Sequence, residues 1–369
     1  MKTKAAIILG TRPEIIRLSR LIPELEKVFD SYIINTNQNF ESNLNSIFFD
    51  ELGLPTPKYS LKSSPGPLHL NLANMLSQVG EVLVNDRPEL VVVLGDTNSA
   101  LTSILAKRMG VTVYHIEAGN RSFDENVPEE INRRIIDHLS DFNLCYSERS
   151  AKNLAYEGLE ARRVSVVGSP LLEVFNHYRQ HIQDSQALSN LSLTRGEYLL
   201  FTFHRQENVD NFARLQIIMS TLYEVSSYFG LPVVVSTHPR TKTKLSQAQF
   251  KSSESVKFLD AMGYFDFMSL QLNAKCVVSD SGSISEEASL LNFKAVTLRD
   301  SMERPEALDA GSLIMSGLES NHVIASIEYA VSSELIGIPQ DYLESNFSER
   351  VTKFILSTHH LNAKWHGIN

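Results

Sequence analysis

With 369 residues the chain is too long for one hydrophobic core, so two domains are expected. Its 43% apolar and 21% charged residues are those of a globular protein rather than a disordered or fibrous one. A net charge of −9 without any Lys/Arg run argues against nucleic acid or an anionic membrane as the main partner, and no apolar run reaches the roughly 18 residues of a membrane span.

The N-terminal MKTKAAIILG is too short for a signal peptide and lacks a cleavage site. AAIILG therefore reads as a first buried strand, and a cytoplasmic location is expected. Strands are predicted at Ala5–Leu9, Tyr32–Asn35, Leu90–Leu94, Val111–Ile116, Phe142–Cys145 and Val164–Val167. A second series follows at Tyr198–Phe203, Val233–Ser236, Val256–Leu259, Cys276–Ser279 and Ala295–Leu298. Helical spacing lies between them, for example over Pro13–Val28 and Phe212–Phe229. This alternation predicts βαβ units and parallel sheets. The polar segment Gln180–Glu197 separates the two series, giving expected domains at 1–182 and 183–369. A last helix near Ser348–Leu361 could pack back on the first domain. Cys145 and Cys276 stand alone in apolar contexts and read as buried structural thiols of a reducing compartment.

Several strand ends carry chemistry. The first strand runs into GTRPE, where Gly10 allows a tight turn, Pro13 suits a first helical turn, and Arg12 sits where amides and dipole favour an anion. A solvated Arg at a helix start would fit these residues as well. VVVLGDT ends in Asp96, and VTVYHIEAG ends in Glu117. A parallel strand closing on an acid and a glycine puts that acid at the sheet rim, where α/β proteins bind ligands. Glu129 follows on a Pro-started helix, in a stretch that also holds Asp124, Glu125, Glu130 and three arginines. In the second series, His204 and His238 follow strand ends, each closely followed by Arg. No Cys or further His stands at metal-ligand spacing, so no metal is expected. KCVVS closes on Asp280, then Ser281, Gly282 and Ser283 open a helix with Glu286 and Glu287. Small residues admit a phosphate closely. The same residues would also make a Ser N-cap with a Glu capping box. Arg304 lies in a further loop before a Pro-started helix. The remaining histidines, His115 among them, are assigned structural roles, and no nucleophile elbow is present.

GTRPE (10–14), GDT (95–97), EAG (117–119), PEE (128–130) with Asn132 and Arg133, DSG (280–282) with Glu286 and Glu287, and ERPEA (303–307) fall in one order. Together they resemble the non-hydrolysing UDP-N-acetylglucosamine 2-epimerase family over essentially the whole chain. The resemblance implies an α/β fold of two Rossmann-like, doubly wound parallel-sheet domains facing across a cleft (GT-B type). The N-terminal domain would carry the catalytic carboxylates, and the C-terminal domain would bind UDP. It implies Asp96, Glu117, Glu129 and His204 as catalytic residues. Arg12, Arg17, His238, Phe267, Ser281, Gly282, Ser283, Glu287 and Arg304 would contact the nucleotide. Elimination of UDP across C1–C2 and its re-addition involve no oxidation, so no cofactor is expected. The expected ligand is a UDP-sugar, with no nucleic acid or membrane partner, and the expected assembly is a homodimer.

NTNQNFESN (Asn35–Asn43) and Asn120 depart from the pattern of UDP-N-acetylglucosamine epimerases. With DTNS, NVPEEINRR, STHPRT and DSGSISEE they most resemble the branch that forms UDP-N-acetyl-L-fucosamine from UDP-2-acetamido-2,6-dideoxy-L-talose, for capsule or O-antigen sugars. A general UDP-N-acetylglucosamine 2-epimerase is the alternative, followed by a GT-B glycosyltransferase, a hydrolysing epimerase and a silent nucleotide-sugar sensor.

Overall fold

A computed structural model describes residues 2–38, 42–63, 66–237, 239–247, 250, 252–334 and 337–365. The chain divides into two compact units, Met1–Asn176 with Asp341–Asn369, and His177–Gln340. Each is an α/β unit with a wholly parallel sheet, the fold class expected.

The first unit's sheet, among the described residues, comprises β1 (Lys4–Leu9), β2 (Asp30–Asn35), β3 (Tyr59–Ser60), β4 (Leu90–Leu94), β5 (Thr112–Ile116), β6 (Phe142–Cys145) and β7 (Val164–Val166). Their order is β3-β2-β1-β4-β5-β6-β7. The chain winds outward through β2 and β3, then returns to lay β4 against the other side of β1. A doubly wound sheet has its switch point there, and ligands bind beyond the carboxyl ends of the two strands. The central strands are apolar throughout because helices cover both faces. Ala6, Ile8, Val91, Val93 and Val113 pack with Val79, Val82 and Leu83 of the helix Leu68–Asp86. Ala5, Ile7 and Val92, at alternate positions, are buried on the opposite face.

The chain returns to this unit at its C-terminal end. The helix Phe347–Thr358 lies against Leu21–Val28. Phe354 meets Tyr114 and Phe142 edge-on, and Thr358 Oγ1 lies 2.8 Å from the Tyr114 hydroxyl.

The second unit's sheet, among the described residues, has the order β10-β9-β8-β11-β12-β13. Its strands are β8 (Leu199–Thr202), β9 (Val233–Ser236), β10 (Val256–Leu259), β11 (Cys276–Ser279), β12 (Ala295–Thr297) and β13 (Ile314–Met315). Its switch point lies between β8 and β11. Leu199, Phe201, Val233, Val235 and Val278 pack with Leu215, Ile218, Leu222 and Val225 of the helix Phe212–Phe229. Leu200, Val234 and Val277 face the other way, onto Leu270, Ile284 and Ala288.

Two readings are corrected. The predicted Pro13–Val28 helix is two helices, Arg12–Leu18 and Leu21–Val28. Pro23 explains the break: its ring would collide with the Ser19 carbonyl four residues earlier and leave it without a donor. The edge strands Tyr59–Ser60 and Ile314–Met315 were not predicted, being too short for any periodicity to show. Cys145 and Cys276 are both buried, as expected, and burial pushes the Cys276 thiol up to about 12. Among the described residues no helix is long and apolar enough to cross a membrane, and no group of three His, Cys, Asp or Glu could hold a metal.

Candidate active site

In the first unit the candidate residues stand on the loops after β1, β4 and β5. Gly10 ends β1's turn. A Cβ there would fall 1.9 Å from Thr36 Oγ1 and 2.5 Å from Ser99 Oγ, so only glycine lets these loops meet. Arg12 opens the short helix, half-buried, with its guanidinium over the Phe48 ring. Glu14, two residues on, is fully buried. Its Oε2 accepts from the Gly10 and Thr11 amides at 2.9 and 2.7 Å, and its Oε1 accepts from Thr97 Oγ1 at 2.8 Å. Glu14 thus clamps the Arg12 turn to the turn that carries Asp96. Burial raises its pKa to about 7, against the pull of those hydrogen bonds.

β4 and β5 are adjacent and in register to Leu94 and Ile116, so Asp96 and Glu117 emerge from neighbouring strand ends. Asp96 Oδ2 accepts from Arg133 Nη2 at 2.7 Å and Nε at 3.1 Å. The Asp96 carbonyl accepts from Asn132 Nδ2 at 2.9 Å. Both donors lie on the helix Pro128–Leu139, whose first turn carries Glu129, so that helix is pinned to the Asp96 turn. Glu129 is half-buried. Its neighbour Glu130 is buried. Burial would raise the Glu130 pKa, but the Ser122 amide and Arg133 hold it below the ordinary value.

Glu117 is 8% exposed and has a φ of 70°, in the left-handed region that disfavours a residue with a Cβ. Such strain persists where the surroundings fix it, and it clusters at functional positions. Arg17 lies beside it, Nε to Oε2 at 3.7 Å, and also stacks over Tyr146. At Gly119 the φ is 80°, and a Cβ would meet the Ser150 carbonyl at 2.3 Å.

In the second unit the candidates follow β8, β11 and β12. β8 and β11 are paired up to Thr202 and Ser279, which brings His204 to Asp280. Asp280 is fully buried. Its carboxylate accepts from the His204 and Arg205 amides at 3.1 Å and from Asn208 Nδ2 at 2.9 Å. His204 Nδ1 lies 3.3 Å from Asp280 Oδ1, with the His side chain 41% exposed. Ser281 and Ser283 meet through their hydroxyls at 3.1 Å. The capping alternative is not realised: Ser283 precedes the helix Ile284–Leu291 with a helical backbone and makes no side-chain cap. Glu287 accepts from Gln271 Nε2 at 2.9 Å. Arg304 reaches back across the loop, its Nη1 donating to Glu286 at 2.9 Å and to the Gly282 carbonyl at 3.1 Å. Phe267 is partly buried and packs against the sheet core formed by Leu200, Val234 and Val277. His238 lies outside the described residues.

Sequence reasoning singled out the strand-end acids but passed over groups bonded beside them: Glu14, Arg133 and, for His204, Asp280 as its partner. Glu14 and Arg133 sat inside quoted motifs. His115, assigned a structural role, and Asp137 lie 2.9 Å apart, a contact with no signal in the sequence because only the packing of β5 against the following helix creates it.

The profile of the family described as UDP-N-acetylglucosamine 2-epimerase matches residues 23–356. The UDP-N-acetylglucosamine 2-epimerase of Methanocaldococcus jannaschii is 38% identical over 340 residues, covering 90% of this chain and 93% of that one. This chain belongs to the UDP-N-acetylglucosamine 2-epimerase family. It is therefore an isomerase, an epimerase of nucleotide sugars. A second relative, the UDP-2,3-diacetamido-2,3-dideoxy-D-glucuronate 2-epimerase of Pseudomonas aeruginosa, is 31% identical over 95% of this chain and 99% of its own. The crystal structure of the M. jannaschii enzyme in complex with UDP-GlcNAc and UDP matches with a TM-score of 0.91 at 36% identity, covering 96% of this chain and 100% of that one. The family's two-sheet architecture is the one described above.

Proposed function

We propose that this epimerase inverts C2 of a UDP-N-acetylated hexosamine, with UDP-N-acetylglucosamine and its C2 epimer as the substrate pair that the relatives' activities support best. The carrying observation is the set of acids on the first unit's strand ends: Asp96 and Glu117 on adjacent strands, and Glu129 on a helix tied to the Asp96 turn.

The chemistry requires such a set. C2 is next to no carbonyl, so removing its proton alone would leave an unstabilised carbanion. Elimination avoids this: a carboxylate takes the C2 proton while the C1–O bond breaks, UDP leaves with the electron pair, and a 2-acetamidoglycal forms. An acid on the opposite face then protonates C2, and the UDP oxygen adds back to C1. One carboxylate acts as base and another as acid, while cationic and amide groups stabilise the departing diphosphate. Arg12, Arg17 and His204, with the Ser281–Ser283 turn, are the groups we assign to the nucleotide and its diphosphate.

A second reading, a 6-deoxy-L-talose nucleotide converted to UDP-N-acetyl-L-fucosamine, rests on the Asn35–Asn43 segment. Its residues 39–41 lie outside the described ones, but Gln38 accepts from the Ser99 amide and hydroxyl at 2.9 and 3.0 Å, beside the Asp96 turn. Asn120 adds no support, since its side chain is buried and bonded to Ser150 Oγ at 2.9 Å. The test is NMR in deuterated water, with each UDP-sugar offered alone. The reading expects interconversion with deuterium at C2 and no free sugar. Unlabelled product or released sugar would refute it, and the ratio of kcat/KM values chooses the substrate. Asp96→Asn, Glu117→Gln and Glu129→Gln are each expected to lower kcat by at least roughly 10²-fold.

A further inference from the structure

We propose that Asp137 is a positioning residue that locks the turns bearing Asp96 and Glu117 to each other; the proposal rests on the roles assigned to those acids above. Asp137 lies in the second half of the helix whose first turn carries Glu129, and it is fully buried. Both its carboxylate oxygens face the Gly119 amide at 3.2 Å, which fixes the turn just after Glu117. Oδ1 lies 2.9 Å from His115 Nδ1, two residues before Glu117. His115 then reaches across to β4: its Nε2 lies 2.8 Å from the Gly95 carbonyl, immediately before Asp96. A carbonyl only accepts, so Nε2 carries a hydrogen and donates it. Arg121 Nη1 closes the assembly from the far side, 2.7 Å from Asp137 Oδ2. One carboxylate therefore holds the Glu117 turn at the Gly119 amide and packs against the imidazole whose other nitrogen meets the Gly95 carbonyl of the Asp96 turn, while standing on Glu129's own helix.

The geometry has a chemical purpose. Glu117 is held at a φ of 70°, a conformation its own backbone does not favour, so an outside tether must maintain it. Proton removal and delivery on opposite faces of one carbon tolerate little drift, since a misplacement of about 1 Å can cost about 10²-fold in rate. Asp137 touches no reacting atom in this scheme. Its loss acts on kcat through the placement of the acids and leaves nucleotide binding alone.

Two variants test this. Asp137→Asn removes the charge that Arg121 and His115 face, and His115→Phe keeps the ring's bulk while deleting its bridge to Gly95. Both are assayed well below their measured Tm, with UDP affinity measured by calorimetry. The expected result is a fall in kcat of about 10-fold or more in each, with KM and the UDP Kd within about threefold of wild type, and a double variant less than multiplicative. Wild-type kcat in a folded His115→Phe protein overturns the proposal. So does a loss in KM and UDP affinity without loss in kcat. If Asp137→Asn does not fold, His115→Phe decides alone. Asp96→Asn and Glu117→Gln run alongside. If those two keep wild-type turnover, the assignment of the acids is wrong and the positioning role falls with it. If they lose turnover while His115→Phe and Asp137→Asn keep it, only the positioning role is overturned.

Discussion

Glu14 shows how one side chain can couple the loops to pH. Its carboxyl is fully buried, takes three hydrogen bonds from the Gly10–Thr11 turn and one from Thr97, and still titrates near pH 7 because burial outweighs them. A carboxyl whose folded pKa is raised binds its proton more tightly in the native state. It therefore stabilises the fold below its unfolded value of 4.5, and that stabilisation is lost as pH rises to about 7. Glu14→Gln keeps an acceptor for the two amides and offers its amide to Thr97, but cannot ionise. Between pH 5 and pH 8 the wild type is expected to lose up to about 3 kcal/mol relative to Glu14→Gln. Urea unfolding of both proteins at the two pH values measures this, and parallel pH dependence would show that Glu14 does not titrate in that window. At the same scale, Glu157 needs little burial to be displaced: hydrogen bonds from Arg121 hold it down at about 2. The guanidinium that closes on Asp137 is thereby fixed from its other side.

The elements matter because Asp96, Glu117 and His204 each follow a strand end and meet a side chain of another element or strand end. The β5 turn turns left-handed at both Glu117 and Gly119, and Gly119 packs on the Ser150 carbonyl. Gly119→Ala adds a Cβ where the backbone disfavours one and the space is taken. It is expected to cost more than about 1 kcal/mol in urea unfolding and to lower kcat, because the Glu117 turn must shift to admit the methyl. The equivalent arrangement in the second unit is the junction of β8 and β11. There Asp280 gathers the His204 and Arg205 amides, Asn208 and the His204 ring. Asp280→Asn turns one acceptor of that cluster into a donor facing donors. If His204 serves the diphosphate, its kcat should fall by roughly 10²-fold. Retained turnover in a folded Asp280→Asn protein would detach Asp280 from His204's function.

At the scale of the whole molecule, the chain leaves its first unit, builds the second, and comes back. The returning helix Phe347–Thr358 buries Phe347, Val351 and Ile355 and brings Phe354 against Tyr114 and Phe142. Tyr114 lies on β5, the strand that delivers Glu117, so the C-terminal helix braces the sheet that holds the acids. Ile355→Ala, deep in this contact, is expected to destabilise the first unit by about 2–5 kcal/mol. Where unfolding shows two transitions, only one should move, and a shift in both would mean the units unfold together.

The sequence alone determined the central strands of both sheets. Apolar runs such as VVVL and TVYHI are long enough, and bare enough of charge, to read as strands covered on both faces. Their closing residues GDT and EAG mark the rim whichever way the rest of the chain folds. Family membership was legible for the same reason: it rests on short motifs at strand ends, where residue type is dictated locally. The break ahead of Pro23 is also written in the sequence, although the apolar period runs across it. What only the tertiary structure decided is which partner each group has. Glu14 reaches Thr97 across 83 positions, and His204 meets Asp280 because β8 and β11 pair across 76. His115 finds Gly95 and Asp137 only once β5 lies between β4 and the helix that follows it. Periodicity fixes which face a residue takes. It cannot tell which distant donor or acceptor will be buried against it, and in this protein those buried partners set the geometry of the strand-end acids.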